Sequence, residues 1–171
     1  AGIGLRVGNP LSPDPPGTRL VAEMPLPATG VIKAVTAIPG LERITGEGRG
    51  MMGVPGVAAR TFSAAAATGT SVPLISQASS EQSICFAVPL ESTRGVLATL
   101  QNTFASEIAS RDIDRVWATD EVVIITVVGA GMRSTPGVAG RIFQSLGEKN
   151  VNVIAIAQGS SEVSISMIVD A

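Results

Sequence analysis

One stretch of this chain is written twice, and that repeat constrains the fold more than any other feature. Residues 48–88 read GRGMMGVPGVAARTFSAAAATGTSVPLISQASSEQSICFAV, and residues 129–169 read GAGMRSTPGVAGRIFQSLGEKNVNVIAIAQGSSEVSISMIV. They align without a gap at an offset of 81, and 18 of the 41 positions are identical. Two copies are too few for a solenoid, whose units stack in longer series. A tandem pair of small α+β units is the reading that fits.

Each copy carries the same coarse pattern. An apolar strand comes first, Leu41–Thr45 in one copy and Val122–Val128 in the other, followed by a Gly-rich turn. Pro55-Gly56 and Pro136-Gly137 then open a helix, since proline suits the first helical turn where its missing N–H is not needed. Val57, Ala58, Phe62 and Ala65 mark its apolar face in the first copy, and Val138, Phe143 and Leu146 in the second. Gly69 and Asn150 suit left-handed ends. A strand over 72–77 or 151–158, a Ser-rich turn, and a strand over 83–88 or 163–169 complete the shared part.

The first copy then continues. Residues 91–109 form a long amphipathic helix, with Val96, Leu97, Leu100, Phe104 and Ile108 on one face, and 113–119 a fourth strand. The order is βαββαβ, the ferredoxin-like arrangement. The second copy stops before its second helix. Residues 31–38 alternate like a strand left over upstream, which could complete the second copy, and 18–22 could be another strand. Residues 8–17, rich in Pro, Gly, Ser and Asn, read as a loop.

Composition removes several function classes. Hydrophobic residues are 45% of the 171 and charged residues 15%, so a packed core is expected and disorder is not. Aromatics are 3%, so that core is aliphatic. A net charge of −2 without a basic stripe argues against nucleic acid as a partner. The absence of His removes the commonest general base and metal ligand, and the single Cys85 can neither build a zinc site nor pair within the chain. No metal site, cofactor or membrane association is expected.

The remaining motifs point to small-molecule binding. Gly48-Arg-Gly50-Met-Met-Gly53 fits G-x-G-x-x-G between a strand and a helix. The second copy has Ser134 in place of the third glycine, and Ser76-Gln77 and Ala157-Gln158 stand where a ribose-binding carboxylate would be. The glycines therefore read as shaping a tight turn. Amides at such a turn still attract a carboxylate, and an amino acid supplies one. Gln77 and Gln158, at the ends of the neighbouring strands, each offer an acceptor and a donor. Ser79-Ser80-Glu81 and Ser160-Ser161-Glu162 have no His nearby to make a nucleophile, and read as polar hairpin turns. Arg60 and Arg141 read as solvated, with an intersubunit ion pair as the alternative, and Met51 and Met132 as core or pocket wall.

The segments GMMGVPGVAARTF, ISQASSEQSICFAVP, VVGAGMRSTPGVAGRIF and IAQGSSEVSIS resemble the tandem ACT regulatory region of aspartate kinases. The leading GLRVGNPLSPDPPGT is similar to that family's last kinase-domain strand. The resemblance implies two ferredoxin-like βαββαβ units with antiparallel sheets and helices on one face, one unit inserted into the other. It implies that residues 1–30 end a kinase domain and its linker. Residues 31–39 then give a strand to the second unit, 40–120 form the first unit, and 121–171 form the second, truncated at its C-terminal end. Such a piece is not itself an enzyme. Its parent would be a cytoplasmic aspartate kinase, or a plastid one if the source is a plant or alga.

The family's ACT pairs dimerise and bind an end-product amino acid, which shifts the attached kinase domain toward an inactive state. Lysine-sensing members carry an acidic residue early in the second strand, where this chain has Pro73 and Ile154. The Gln-x-Ser-Ser-Glu form in both repeats is similar to the threonine-sensitive type often fused to homoserine dehydrogenase. Threonine is therefore favoured over lysine, with a purely structural dimerisation module as the other alternative. The expected effector site comprises Met51, Gly53, Val54, Pro55, Gly56 and Gln77 in one copy. In the other it comprises Met132, Ser134, Thr135, Pro136, Gly137 and Gln158.

Overall fold

The structure, a computed structural model, describes residues 4–12, 16–20, 31–129, 131–132, 135–158 and 163–171. A short exposed hairpin, β1 (Leu5–Val7) and β2 (Thr18–Leu20), comes first. The repeat-bearing body follows as β3 (Ala34–Glu47), α1 (Val57–Ala67), β4 (Leu74–Gln77), β5 (Ser83–Pro89), α2 (Thr93–Thr103) and α3 (Ala105–Ser110). It ends with β6 (Arg115–Val128), α4 (Val138–Gly147), β7 (Val153–Ala157) and β8 (Ser164–Asp170).

All six long-range strands form one antiparallel sheet in the order β4-β5-β3-β6-β8-β7. Here the structure differs from the strands read in the sequence. Residues 31–38 and 41–45 were expected as two strands, as were 113–119 and 122–128, yet each pair is a single 14-residue strand. Pro39 lacks an N–H and Gly40 has φ +73°, which normally end a strand. The register instead shifts between Ile38 and Leu41, a bulge that carries both residues through the bend.

The long β3–β6 ribbon serves both repeats. Residues 41–47 of β3 pair with β5, and residues 122–128 of β6 pair with β8. The first half of β3 thus stands beside 124–128 as the fourth strand of the second repeat. Hydrogen bonds repeat at the offset of 81. Asp114 N–H donates to Glu47 O (2.9 Å) as Lys33 N–H does to Val128 O (2.7 Å), and Gly48 N–H donates to Gln82 O (3.0 Å) as Gly129 N–H does to Val163 O (2.7 Å). Residues 31–33 therefore do for the second repeat what 112–114 do for the first. The approach is so close that a Cβ on Gly48 would lie 2.4 Å from Asp112 O, and one on Gly129 would lie 2.0 Å from Val31 O.

Three apolar clusters hold this arrangement. Ile44, Phe86, Val96, Leu100 and Phe104 pack between the first half of the sheet and helices α1 and α2. Val127, Val138, Ile142 and Met167 pack under α4. Leu41, Leu74, Ala87, Val122, Ile124, Ala155 and Ile168 join the two halves. There the edge strands β4 and β7 approach each other, and Ser76 Oγ donates to Ile156 O (3.3 Å).

The helices also refine the sequence reading. Helices α1 and α4 begin after a left-handed glycine, Gly56 (φ 88°) and Gly137 (φ 81°), so Pro55 and Pro136 precede the helix and are not in its first turn. Gly69 and Asn150 have the expected positive φ. The single helix expected over 91–109 begins as a 3-10 turn, Leu90–Ser92, and breaks at Phe104 (φ −108°, ψ 20°). Arg60 fills the break: its guanidinium stacks 4.6 Å from the Phe104 ring centre and donates to Thr103 O (2.8 Å), a carbonyl freed there.

Candidate functional site

The two strand-to-helix turns are built alike. Met51 N–H donates to Gly48 O (3.1 Å) and Met132 N–H to Gly129 O (3.1 Å); Arg60 N–H donates to Gly56 O (2.9 Å) and Arg141 N–H to Gly137 O (3.1 Å). Met51 (4% exposed) and Met132 (7%) point into the two helix-backed cores. Their side chains anchor the turns and do not face the mouth. Gly53, Val54, Pro55 and Gly56 are exposed, as are Pro136 and Gly137, with Thr135 half-buried; Ser134 lies outside the described residues.

Gln77 ends β4 opposite Ile84, and Gln158 follows β7; both side chains are exposed. The β4–β5 hairpin that carries Gln77 lies against the first turn. Gly48 N–H donates to Gln82 O, and Gly53 N–H donates to the Glu81 carboxylate through Oε2 (3.0 Å). The structure thus brings the predicted turn and the hairpin of its predicted glutamine together, and adds Glu81, which the sequence reading left as a turn residue. One signal was in the sequence, the Ser-Ser-Glu triplet of both repeats; the left-handed φ of +59° at Glu81 is visible only in the structure. The second triplet, 160–162, lies outside the described residues.

Arg60 is exposed, as expected, and it also makes an ion pair, within the chain and not between subunits. It pairs with Glu107 and ties α1 to the α2–α3 junction within one chain. That contact, with a hydrogen bond from Ser106, holds the Glu107 carboxyl down at about 2. Its counterpart Arg141 lines an apolar groove of about 660 Å³ with Val31, Ile32, Ile142, Leu146 and Met167. Ile142, Leu146 and Met167 stand 81 positions after Thr61, Ala65 and Phe86, which lie in the first repeat beneath α2 and its neighbours. The groove is the second repeat's version of that helix seat.

The chemistry available is binding chemistry. Among the described residues no group of three or more His, Cys, Asp or Glu is placed to hold a metal. Burial pushes the Cys85 thiol up, only partly offset by the Arg43 guanidinium, so it stays protonated and weakly nucleophilic near neutral pH. Among the described residues no helix is long and apolar enough to cross a membrane.

The family model for the ACT domain matches residues 44–104 and 125–171, the two repeats just described. The chain belongs to the ACT domain family. It is 41% identical over 138 residues to the bifunctional aspartokinase/homoserine dehydrogenase of Haemophilus influenzae, covering 81% of this chain and 17% of that protein. It is 38% identical over 170 residues to the chloroplastic bifunctional aspartokinase/homoserine dehydrogenase 2 of Zea mays, covering 97% of this chain and 18% of that one. The ACT chain therefore spans less than a fifth of the length of these relatives. Among solved structures it is similar to the ligand-free regulatory subunit of aspartate kinase from Thermus thermophilus. That match has a TM-score of 0.67 and 27% identity, over 83% of this chain and 90% of that one. The chain is thus an ACT pair of the aspartokinase regulatory type.

Proposed function

We propose that this ACT pair binds an amino-acid end product, threonine, and through it inhibits an attached aspartate kinase. In this reading residues 1–30 lead out of the kinase domain, 31–39 serve the second unit, and 40–120 and 121–171 are the two units, which pair with those of a second chain. The parent is cytoplasmic or plastid-located and phosphorylates aspartate. The observation that carries the reading is the duplicated turn: an exposed stretch of backbone whose amides precede a helix, next to a strand that ends at Gln77 or is followed by Gln158. A carboxylate suits the amides, and each glutamine supplies a donor and an acceptor for a hydroxyl and an ammonium. Pro73 and Ile154 offer no carboxylate to a lysine head group, and burying that charge unpaired is costly.

Calorimetry with threonine, lysine, methionine and isoleucine tests the proposal. Threonine is expected to give saturable heat, weakened by Gln77→Ala or Gln158→Ala. Heat from lysine alone would keep a sensor and overturn the choice of effector. Silence from all four at millimolar concentration would leave a dimerisation module without a ligand, and ultracentrifugation would then show an assembly state indifferent to amino acids.

A further inference from the structure

The first turn already holds a carboxylate, and it belongs to the protein. Glu81 reaches from the β4–β5 hairpin, and its Oε2 accepts the Gly53 N–H at 3.0 Å. Gly53 is exposed, with φ +69° and nothing within 4 Å of where a Cβ would lie, so the contact sits at the surface and not in packed protein. Glu81 itself sits at φ +59°, an arrangement non-glycine residues seldom adopt, and the hairpin closes through Glu81 N–H to Ala78 O (2.9 Å). Hairpin and turn are joined independently by Gly48 N–H to Gln82 O (3.0 Å), so the Glu81 contact is not needed to hold them together.

We infer that Glu81 is an internal competitor at the effector site: its carboxylate occupies the Gly53 amide that the carboxylate of an incoming amino acid would take. The inference rests on the effector reading above. A single N–H cannot serve two carboxylates at full strength, and two like charges at one amide repel. Binding therefore displaces Glu81, and the affinity measured is what remains after that exchange. The Glu81 side chain must let go of the turn when the ligand arrives, while Gly48 and Gln82 keep the hairpin in place, so occupancy of the turn is felt at the β4–β5 hairpin through this one side chain. Sequence places Glu162 at the matching position of the second repeat.

Calorimetry on the full chain with threonine, comparing wild type, Glu81→Gln and Glu81→Ala, tests this. Removing the competitor is expected to tighten threonine about fivefold in Glu81→Ala, the worth of one ordinary hydrogen bond. Glu81→Gln, which keeps a weaker neutral acceptor, falls between. L-threonine amide, which lacks the carboxylate, is expected to bind wild type and Glu81→Ala alike, a contrast that a merely structural role would not produce. Amide exchange adds a ligand-free readout, because the Gly53 amide should exchange faster in Glu81→Ala than in wild type. If wild type binds threonine and Glu81→Ala binds it equally or more weakly while remaining folded by circular dichroism, the competitor role is wrong and the effector site stands. If Glu81→Ala does not fold, Glu81→Gln decides by the same comparison. If wild type binds no amino acid at all, the effector reading fails first and takes this inference with it.

Discussion

Gly129→Ala puts the interleaving of the two repeats to a quantitative test. Residues 31–32 lie far from Gly129 in sequence, yet a Cβ there would stand 2.0 Å from Val31 O, 2.9 Å from Val31 C and 3.0 Å from Ile32 Cα. These are backbone atoms of the segment leading into β3, and no rotamer change relieves them. That segment must retreat by about 1 Å to restore ordinary contact, which breaks the Lys33 N–H to Val128 O bond of 2.7 Å. Overpacking of this kind costs about 1–3 kcal/mol and the lost hydrogen bond about 1 kcal/mol, so a loss of about 2–4 kcal/mol is expected. In a chain of this length that lowers Tm by about 5–15 °C. Urea denaturation followed by circular dichroism measures it. Gly140→Ala is the control: it lies inside α4 with nothing within 4 Å, and should stabilise by up to about 1 kcal/mol. A Gly129→Ala protein within about 0.5 kcal/mol of wild type would refute the packing of residues 31–33 on the second repeat.

Three further outcomes follow from the same geometry. Glu107 has its carboxyl lowered from 4.5 to about 2, chiefly by Arg60. A depressed folded value means stability that is full above about 4.5 and lost as pH falls toward about 2, so Glu107→Gln should flatten the acid limb of a stability–pH profile in that window. Phe86, 1% exposed and edge-to-face with Phe62 at 5.6 Å, should cost about 3–5 kcal/mol as Phe86→Ala in urea denaturation. Gln77→Ala and Gln158→Ala, at exposed positions, should change stability by less than about 0.5 kcal/mol in the same assay while weakening threonine in calorimetry.

Much of this architecture was legible because the chain states it twice. The offset of 81 placed the turns, helices and hairpins of the second repeat once those of the first were read. The leftover alternating segment found its place because the second repeat lacked a fourth strand. What escaped was continuity. Pro39-Gly40 carries the usual signal of a strand end, and only pairing with β6 on both sides of the bulge carries the backbone through it. The break at Phe104 escaped because the residue that fills it, Arg60, lies more than forty residues away on another helix. At the site, glycine spacing located both turns. The side chains of Met51 and Met132 proved to be core, since periodicity cannot tell a pocket wall from the layer beneath it. Glu81 was hidden by its neighbours: a Ser-Ser-Glu hairpin tip looks solvated until the fold brings the first turn beneath it.

The central claim is that the duplicated turns are the effector site, and a crystal structure of this chain grown with threonine tests it most directly. The account predicts threonine at one or both turns, its carboxylate on backbone amides such as those of Gly53 and Gly56 or of Gly137, and its polar groups within hydrogen-bonding distance of Gln77 or Gln158. Saturating threonine that leaves both turns empty, or that lies instead in the apolar groove beside α4, would contradict it.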